Sequence, residues 1–208
     1  MIDERNRYNR IYAARKEHTY GEGKPERCVS RILDYQESGS VLDIGAGDGR
    51  NALFLASKGF NVKAVDISEV GLEKLQGFAV QQNLSVEREV VDLSAWSVDR
   101  DYDVMVCTAV FQNIPETSAV PLLEDIKRRT RPDGLNALVL FTTEGTDTFR
   151  HATGAHGFFA PPQWLHDFYH DWNILEYTET QRPVRLKSGD GSLATPTVAS
   201  LLARKRVV

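Results

Sequence analysis

The residues best placed to do chemistry lie in one stretch, Val41-Leu42-Asp43-Ile44-Gly45-Ala46-Gly47-Asp48-Gly49-Arg50-Asn51. An apolar run leads in and a helical pattern leads out, so the stretch joins a buried strand to a helix. That is where an open parallel sheet binds ligands. Gly45 and Gly47 lack a Cβ, so the backbone can turn sharply and come close to a ligand. The spacing is Gly-x-Gly-x-Gly, not the Gly-x-Gly-x-x-Gly of dinucleotide sites. Asp43 stands two residues before the first glycine. A carboxylate there would repel a pyrophosphate at the helix N-terminus. It suits a ligand with a cationic end, and S-adenosylmethionine carries both an ammonium and a sulfonium. The alternative for Asp43 is a strand-end residue that caps its own loop.

Two further acids follow the next two strands. Asp66 closes Asn61-Val62-Lys63-Ala64-Val65-Asp66, at about the 20-residue distance where an acid meets ribose hydroxyls. Its alternative is to start the next helix, with Ser68 as the other candidate cap. Asp92, in Val90-Val91-Asp92-Leu93, suits the adenine amino group, with Leu93 against the ring. A solvated loop acid is the other reading of Asp92. After the fourth strand, Cys107-Thr108-Ala109-Val110-Phe111 is expected to face the middle of the cofactor. Cys107 reads as a core thiol, since no cation adjoins it in sequence.

The elements that must hold these residues follow from periodicity. Met1 to about Lys24 reads as a helix and a Gly-rich loop, a cover bearing Tyr8, Tyr12, Arg15 and Tyr20. A helix opens at Pro25 and ends at Gly39. Strands are expected at 40–44, 61–66, 86–91, 102–108 and 135–141, with helices at 51–58, 69–82 and 117–130 between them. The last helix closes on Pro132-Asp133-Gly134. From Thr142 a loop rich in Gly and His precedes a helix from Pro161-Pro162 to Tyr169, then strands at 173–180 and 195–204 around Gly189-Asp190-Gly191. Strands alternating with helices imply an α/β, Rossmann-like, doubly wound seven-stranded sheet, mostly parallel with an antiparallel last strand. The chain is expected to be one domain over 1–208: cover 1–24, cofactor core 25–141, lid loop and terminal strands 142–208.

Composition narrows the class. The 208 residues carry a net charge of -4, and 41% are hydrophobic, as in an ordinary globular protein. Mild acidity argues against a nucleic-acid partner, and no apolar run suggests a membrane partner. Two cysteines, Cys28 and Cys107, form no disulfide framework, which points to a reducing, cytoplasmic setting. No metal-ligand spacing appears, so no metal is expected. A monomer and a homodimer are both open.

The segment Val41 to Asn51 resembles the first motif of class I methyltransferases. A closer likeness is to the tellurite-resistance methyltransferase family. It is carried by Leu42 to Ala56, Gly59-Phe60-Asn61-Val62, Val90-Val91-Asp92-Leu93, Tyr102-Asp103-Val104 and Ala199 to Lys205. The resemblance implies cofactor contacts at Asp43, Gly45, Arg50, Asn51, Asp66, Asp92 and Thr108. With the neighbours that line the same turns, the expected cofactor set adds Ala46, Gly47, Ile67 and Leu93. It also implies a small, soft methyl acceptor, such as a tellurium or selenium oxyanion. In that family a histidine-arginine pair precedes the last strand. Here Arg185 stands at that place without the histidine.

Methyl transfer is an in-line displacement, so the site must align the nucleophile and exclude water. A base is needed only for a protic acceptor. Arg185 is the expected anion holder, with Arg182 and Lys187 beside it, and His156 is the expected second catalytic residue. A solvated charged hairpin and a surface histidine are their respective alternatives. His151 shares the loop of His156, and Phe158, Phe159 and Trp164 would wall the pocket. Two other classes stay open. One is a methyltransferase of oxygen, nitrogen or sulfur on metabolites or natural products. The other is an S-adenosylmethionine-binding module without turnover.

Overall fold

The computed structural model describes residues 3–183 and 194–207. Ser40–Ile44 (β1), Asn61–Asp66 (β2) and Val86–Val90 (β3) pair in parallel on one side. Tyr102–Thr108 (β4) pairs in parallel with the other side of β1, and Thr130–Phe141 (β5) with β4. Asn173–Gln181 (β6) and Thr197–Arg204 (β7) complete a seven-stranded sheet in the order β3-β2-β1-β4-β5-β7-β6. The chain winds outward from β1 to β3 and then returns to the far side of β1. The crevice at this switch point, between the carboxyl ends of β1 and β4, is where such sheets bind ligands.

The expected antiparallel strand is β7, but it is not the edge. It lies between β5 and β6, antiparallel to both, and β6 forms the edge. Almost all of β7 is buried, as a central strand requires. The run Ser200-Leu201-Leu202-Ala203 carries that signal, whereas no residue of β6 is fully buried.

Glu4–Ala13 (α1), Arg27–Ser30 (α2), Arg50–Ser57 (α3), Glu69–Gln81 (α4), Glu116–Arg129 (α5), Asp147–Thr153 (α6) and Trp164–Phe168 (α7) surround the sheet. Side chains alternate along β4 and feed two cores. Met105 and Cys107 pack with Leu123, Ile126, Leu165, Tyr169 and Trp172. Val104 and Val106 pack with Val29, Ile32, Leu55 and Leu75 on the opposite face.

Three expectations change. The helix opened by Pro25 is one turn, α2, continued as a 3-10 turn over Arg31–Asp34. Pro132-Asp133-Gly134 does not close α5 but lies inside β5, where the pairing with β4 shifts register between Tyr102 and Val104. Gly134 is required there, because a Cβ would meet the Asp103 carbonyl at 2.6 Å. The loop after Thr142 contains a helix, α6, stopped by Gly154 in the left-handed conformation. Lys205, just beyond β7, donates to the carbonyls of Lys127, Arg128 and Thr130 at 3.0, 3.0 and 2.5 Å. It thereby caps α5, whose last carbonyls lack helical partners.

Candidate cofactor site

The glycine loop leaves β1 and turns over the end of β2, where the Gly45 and Ala46 amides donate to the Val65 carbonyl at 2.8 and 3.0 Å. Gly45, Gly47 and Gly49 have φ of 70°, 57° and 88°, which L side chains rarely adopt. Two neighbours also forbid a side chain. A Cβ on Gly45 would lie 2.2 Å from Val110 Cγ2, and one on Gly47 would lie 2.1 Å from the Tyr12 hydroxyl. The turn after β4 and the N-terminal helix therefore both reach the loop.

Asp43 is 1% exposed, and its Oδ2 is buried without a hydrogen-bond partner. Burial pushes its carboxyl up to about 7, while the charge of Arg50 and the Ala52 amide pull against that. An unsatisfied buried carboxylate oxygen is costly. A cation or donor at this point would relieve it, and burial alone would not explain it.

Asp66 is occupied on both oxygens. Oδ2 accepts the Gly47 amide at 2.8 Å and Oδ1 accepts the Ser68 amide at 2.7 Å. Ser68 is the N-cap of α4, accepting the Gly71 amide at 3.0 Å. Asp66 thus stitches the glycine loop to the start of α4, and each oxygen keeps a second lone pair for a ligand hydroxyl. Burial raises its carboxyl to about 6 against the two amides. Ile67, next to it, is half-buried.

The remaining expected residues divide. Asn51 is 3% exposed and uses both ends of its amide: Oδ1 accepts the Glu26 amide at 3.0 Å, and Nδ2 donates to Thr108 Oγ1 at 2.9 Å. Asn51 and Thr108 are thus brought together across the switch point. Arg50 pairs with Glu26 at 2.7 Å. Asp92 is exposed, and its Oδ1 accepts from the amide and hydroxyl of Ser94 at 3.0 and 2.6 Å, while Leu93 is buried. A cleft of about 430 Å³ between this turn and α5 reaches the expected set only at Leu93. The glycine loop takes no part in its lining.

The N-terminal segment meets the core at several points. Asn9 Oδ1 accepts the Ser68 hydroxyl at 2.7 Å and the Val70 amide at 3.3 Å, docking α1 on α4. Arg7 donates to the Thr153 carbonyl at 2.6 Å, joining α1 to α6. Tyr12 is buried, its ring 6.2 Å from both Tyr8 and Tyr20. Burial and the nearby Asp66 hold its phenol well above the usual range. Asp48, which sequence reasoning passed over, accepts the Thr19 amide at 2.6 Å and pairs with Lys74 at 3.3 Å. It anchors the cover to the loop, and only its place among the glycines signals it.

On the acceptor side, Arg185 and Lys187 lie outside the described residues, and Arg182 pairs with Glu26 at 2.9 Å. His156 and His151 are exposed, with Nδ1 at 3.1 Å from the Gly154 carbonyl and 2.9 Å from the Asp147 carbonyl. A carbonyl only accepts, so Nδ1 carries the hydrogen and Nε2 is left as the basic nitrogen. Phe159 packs with Phe149 and Phe141 at the end of β5, and Phe158 with Trp164 on the other face. No helix among the described residues is long and apolar enough to cross a membrane. Those residues also hold no group of three or more His, Cys, Asp or Glu placed for a metal ion.

The chain is similar to known proteins in sequence and in fold. Residues 8–192 match the family model described as "Tellurite resistance protein TehB". Over 166 residues the chain is 29% identical to the "Probable S-adenosyl-L-methionine-dependent methyltransferase TehB" of Haemophilus influenzae, covering 80% of this chain and 57% of that one. A "2-heptyl-1-hydroxyquinolin-4(1H)-one methyltransferase" of Mycobacteroides abscessus is 28% identical over 130 residues, covering 62% of this chain and 56% of the relative. The chain thus spans a little over half the length of these curated relatives. The crystal structure of TehB from Haemophilus influenzae superposes with a TM-score of 0.75 at 25% identity, over 86% of this chain and 61% of that one. The chain belongs to the TehB family.

Proposed function

We propose that this chain is a methyltransferase that uses S-adenosylmethionine to methylate a small molecule. The observation that carries the reading is the buried, unpartnered Oδ2 of Asp43 beside a loop whose glycines at 45, 47 and 49 leave no room for a side chain. When bound, the cofactor supplies an electrophilic methyl group on a sulfonium. Asp43 would hold its cationic end and Asp66 its ribose hydroxyls. Gly45, Ala46 and Gly47 offer backbone at close range, and Arg50, Asn51 and Thr108 set the shape of the loop beside them. Ile67, Asp92 and Leu93 would bound the base. Tyr8 and Tyr12 on α1, with Tyr20 in the loop that follows, would exclude water from the reacting end.

For the acceptor, we infer a soft nucleophile such as tellurite or selenite. Family membership supports this, and such a lone pair attacks without a base. Arg185 would hold the oxyanion. A second reading, an oxygen, nitrogen or sulfur acceptor on an organic molecule, draws on the basic Nε2 of His156 and on the hydroxyquinolinone methyltransferase among the relatives. One screen decides between them: methyl transfer to tellurite, selenite, thiols, thiopurines and hydroxyquinolones, with the cofactor product quantified. Turnover with the chalcogen oxyanions alone supports the first reading. Turnover confined to protic organic acceptors, and lost in His156→Ala, supports the second. S-adenosylmethionine bound without transfer to any acceptor would leave a binding module.

A further inference from the structure

Glu26 joins more of the candidate site than any residue picked out by sequence pattern. It stands at the N-cap of α2, its side chain 15% exposed. Oε1 takes the Arg50 guanidinium at 2.7 Å and Oε2 takes that of Arg182 at 2.9 Å. Its own amide donates to Asn51 Oδ1, and Asn51 Nδ2 continues to Thr108 Oγ1. One residue thus ties the first turn of α3, the end of β4 and the end of β6 to the start of α2. Arg50 is also near enough to Asp43 for its charge to act on that carboxyl.

Charge counting gives the arrangement a direction. Among the described residues, two guanidiniums share the single Glu26 carboxylate. Arg182 engages Oε2, so Arg50 is not fully neutralised by Glu26 and stays cationic beside the glycine loop. Each guanidinium gives Glu26 one charge-assisted hydrogen bond, and each occupies a different carboxylate oxygen. Without Arg182, Glu26 would neutralise Arg50 and be free to turn.

We propose that Glu26 is a positioning residue that couples the cofactor loop to the far edge of the sheet. It holds Arg50 and Asn51 in place at the start of α3, beside the glycine loop, and Arg182 keeps that setting. The proposal rests on the glycine loop being the S-adenosylmethionine site. Coupling is reciprocal, so the cofactor in turn alters the affinity of Arg182 for an anionic acceptor. A strut that only stabilised the fold would have neither effect.

Calorimetric titration with S-adenosylhomocysteine tests it, on the unaltered protein, Arg182→Met, Glu26→Gln and the double variant, with thermal melts alongside. Each single change is expected to weaken binding about fivefold or more, the lower end of typical coupling. The double variant should bind within about twofold of Glu26→Gln alone, because the two act through one contact. Binding by Arg182→Met within about twofold of the unaltered protein, or losses that multiply in the double variant, would overturn the coupling. A lower melting temperature with unchanged affinity would mark a strut and overturn it too. If Glu26→Gln does not fold, Arg182→Met decides alone. No binding by the unaltered protein would instead overturn the cofactor reading, on which the coupling depends.

Discussion

Asp43 and Asp66 are both carboxylates at strand ends, and their environments separate what each can do. Asp43 keeps an oxygen with no partner, and burial raises its carboxyl although the Arg50 charge and the Ala52 amide offset part of that rise. A raised carboxyl binds its proton more tightly folded than unfolded. Stability therefore falls as pH rises toward about 7, while the carboxylate that attracts a cation appears over the same range. S-adenosylhomocysteine affinity should rise with pH through this window, and Asp43→Asn should flatten that dependence. Calorimetry between about pH 6 and about pH 8 checks it; an unchanged slope in Asp43→Asn would remove Asp43 from the cofactor. Asp66 differs because two backbone amides depend on it. Asp66→Ala should weaken cofactor binding by about 1.5–3 kcal/mol and also cost about 1–3 kcal/mol of stability, since it strands two buried donors. Denaturant melts measure the second loss. Full stability in that variant would contradict the hydrogen bonds seen here.

Elements with local signals were legible in the sequence, and elements defined by distant partners were not. The glycine loop, β1, β2, β4 and α4 declare themselves through apolar runs, turn glycines and the Ser68 cap, all within a few residues of the structure they form. Asp43 and Asp66 could be found because a strand end is a position that sequence reveals. Glu26 could not, because its partners lie 24 and 156 residues away and a lone acid before a helix has no pattern. α6 was missed because its seven residues are mostly polar and aromatic, and its stop at Gly154 reads equally as loop. The same holds for the cap of α5. Lys205 reaches three carbonyls that sequence cannot place beside it. Lys205→Met should lower stability by about 0.5–1.5 kcal/mol, the scale of a part-buried hydrogen bond lost, with cofactor affinity unchanged. A melting temperature equal to that of the unaltered protein would show that water replaces the lysine without loss.

At the scale of the whole molecule, the site is assembled from parts that are separate in sequence: the β1 loop, the β4 turn, the start of α2 and the cover from α1. A ligand that touches several of these parts stabilises them together. S-adenosylhomocysteine at about a hundred times its dissociation constant should add about 2.7 kcal/mol to the folded state. Differential scanning calorimetry reads this as a higher melting temperature that returns to its starting value after dialysis. Thermal stability indifferent to saturating cofactor would argue against the whole assignment.

The place of β7 has a consequence for how the molecule comes into being. Thr197–Arg204 is made after β5 and β6 but lies between them. As a ribosome releases the chain, the strands from β3 through β5 can find their partners early. β6, by contrast, has no neighbour until the later strand arrives to separate it from β5. Until then the exposed edge of β5 is an unpaired, apolar template of the kind that invites association with other chains. Arg182, at the end of β6, can reach Glu26 only once that gap is filled. The strand that closes the sheet thereby also sets the time at which the cofactor loop gains its last support.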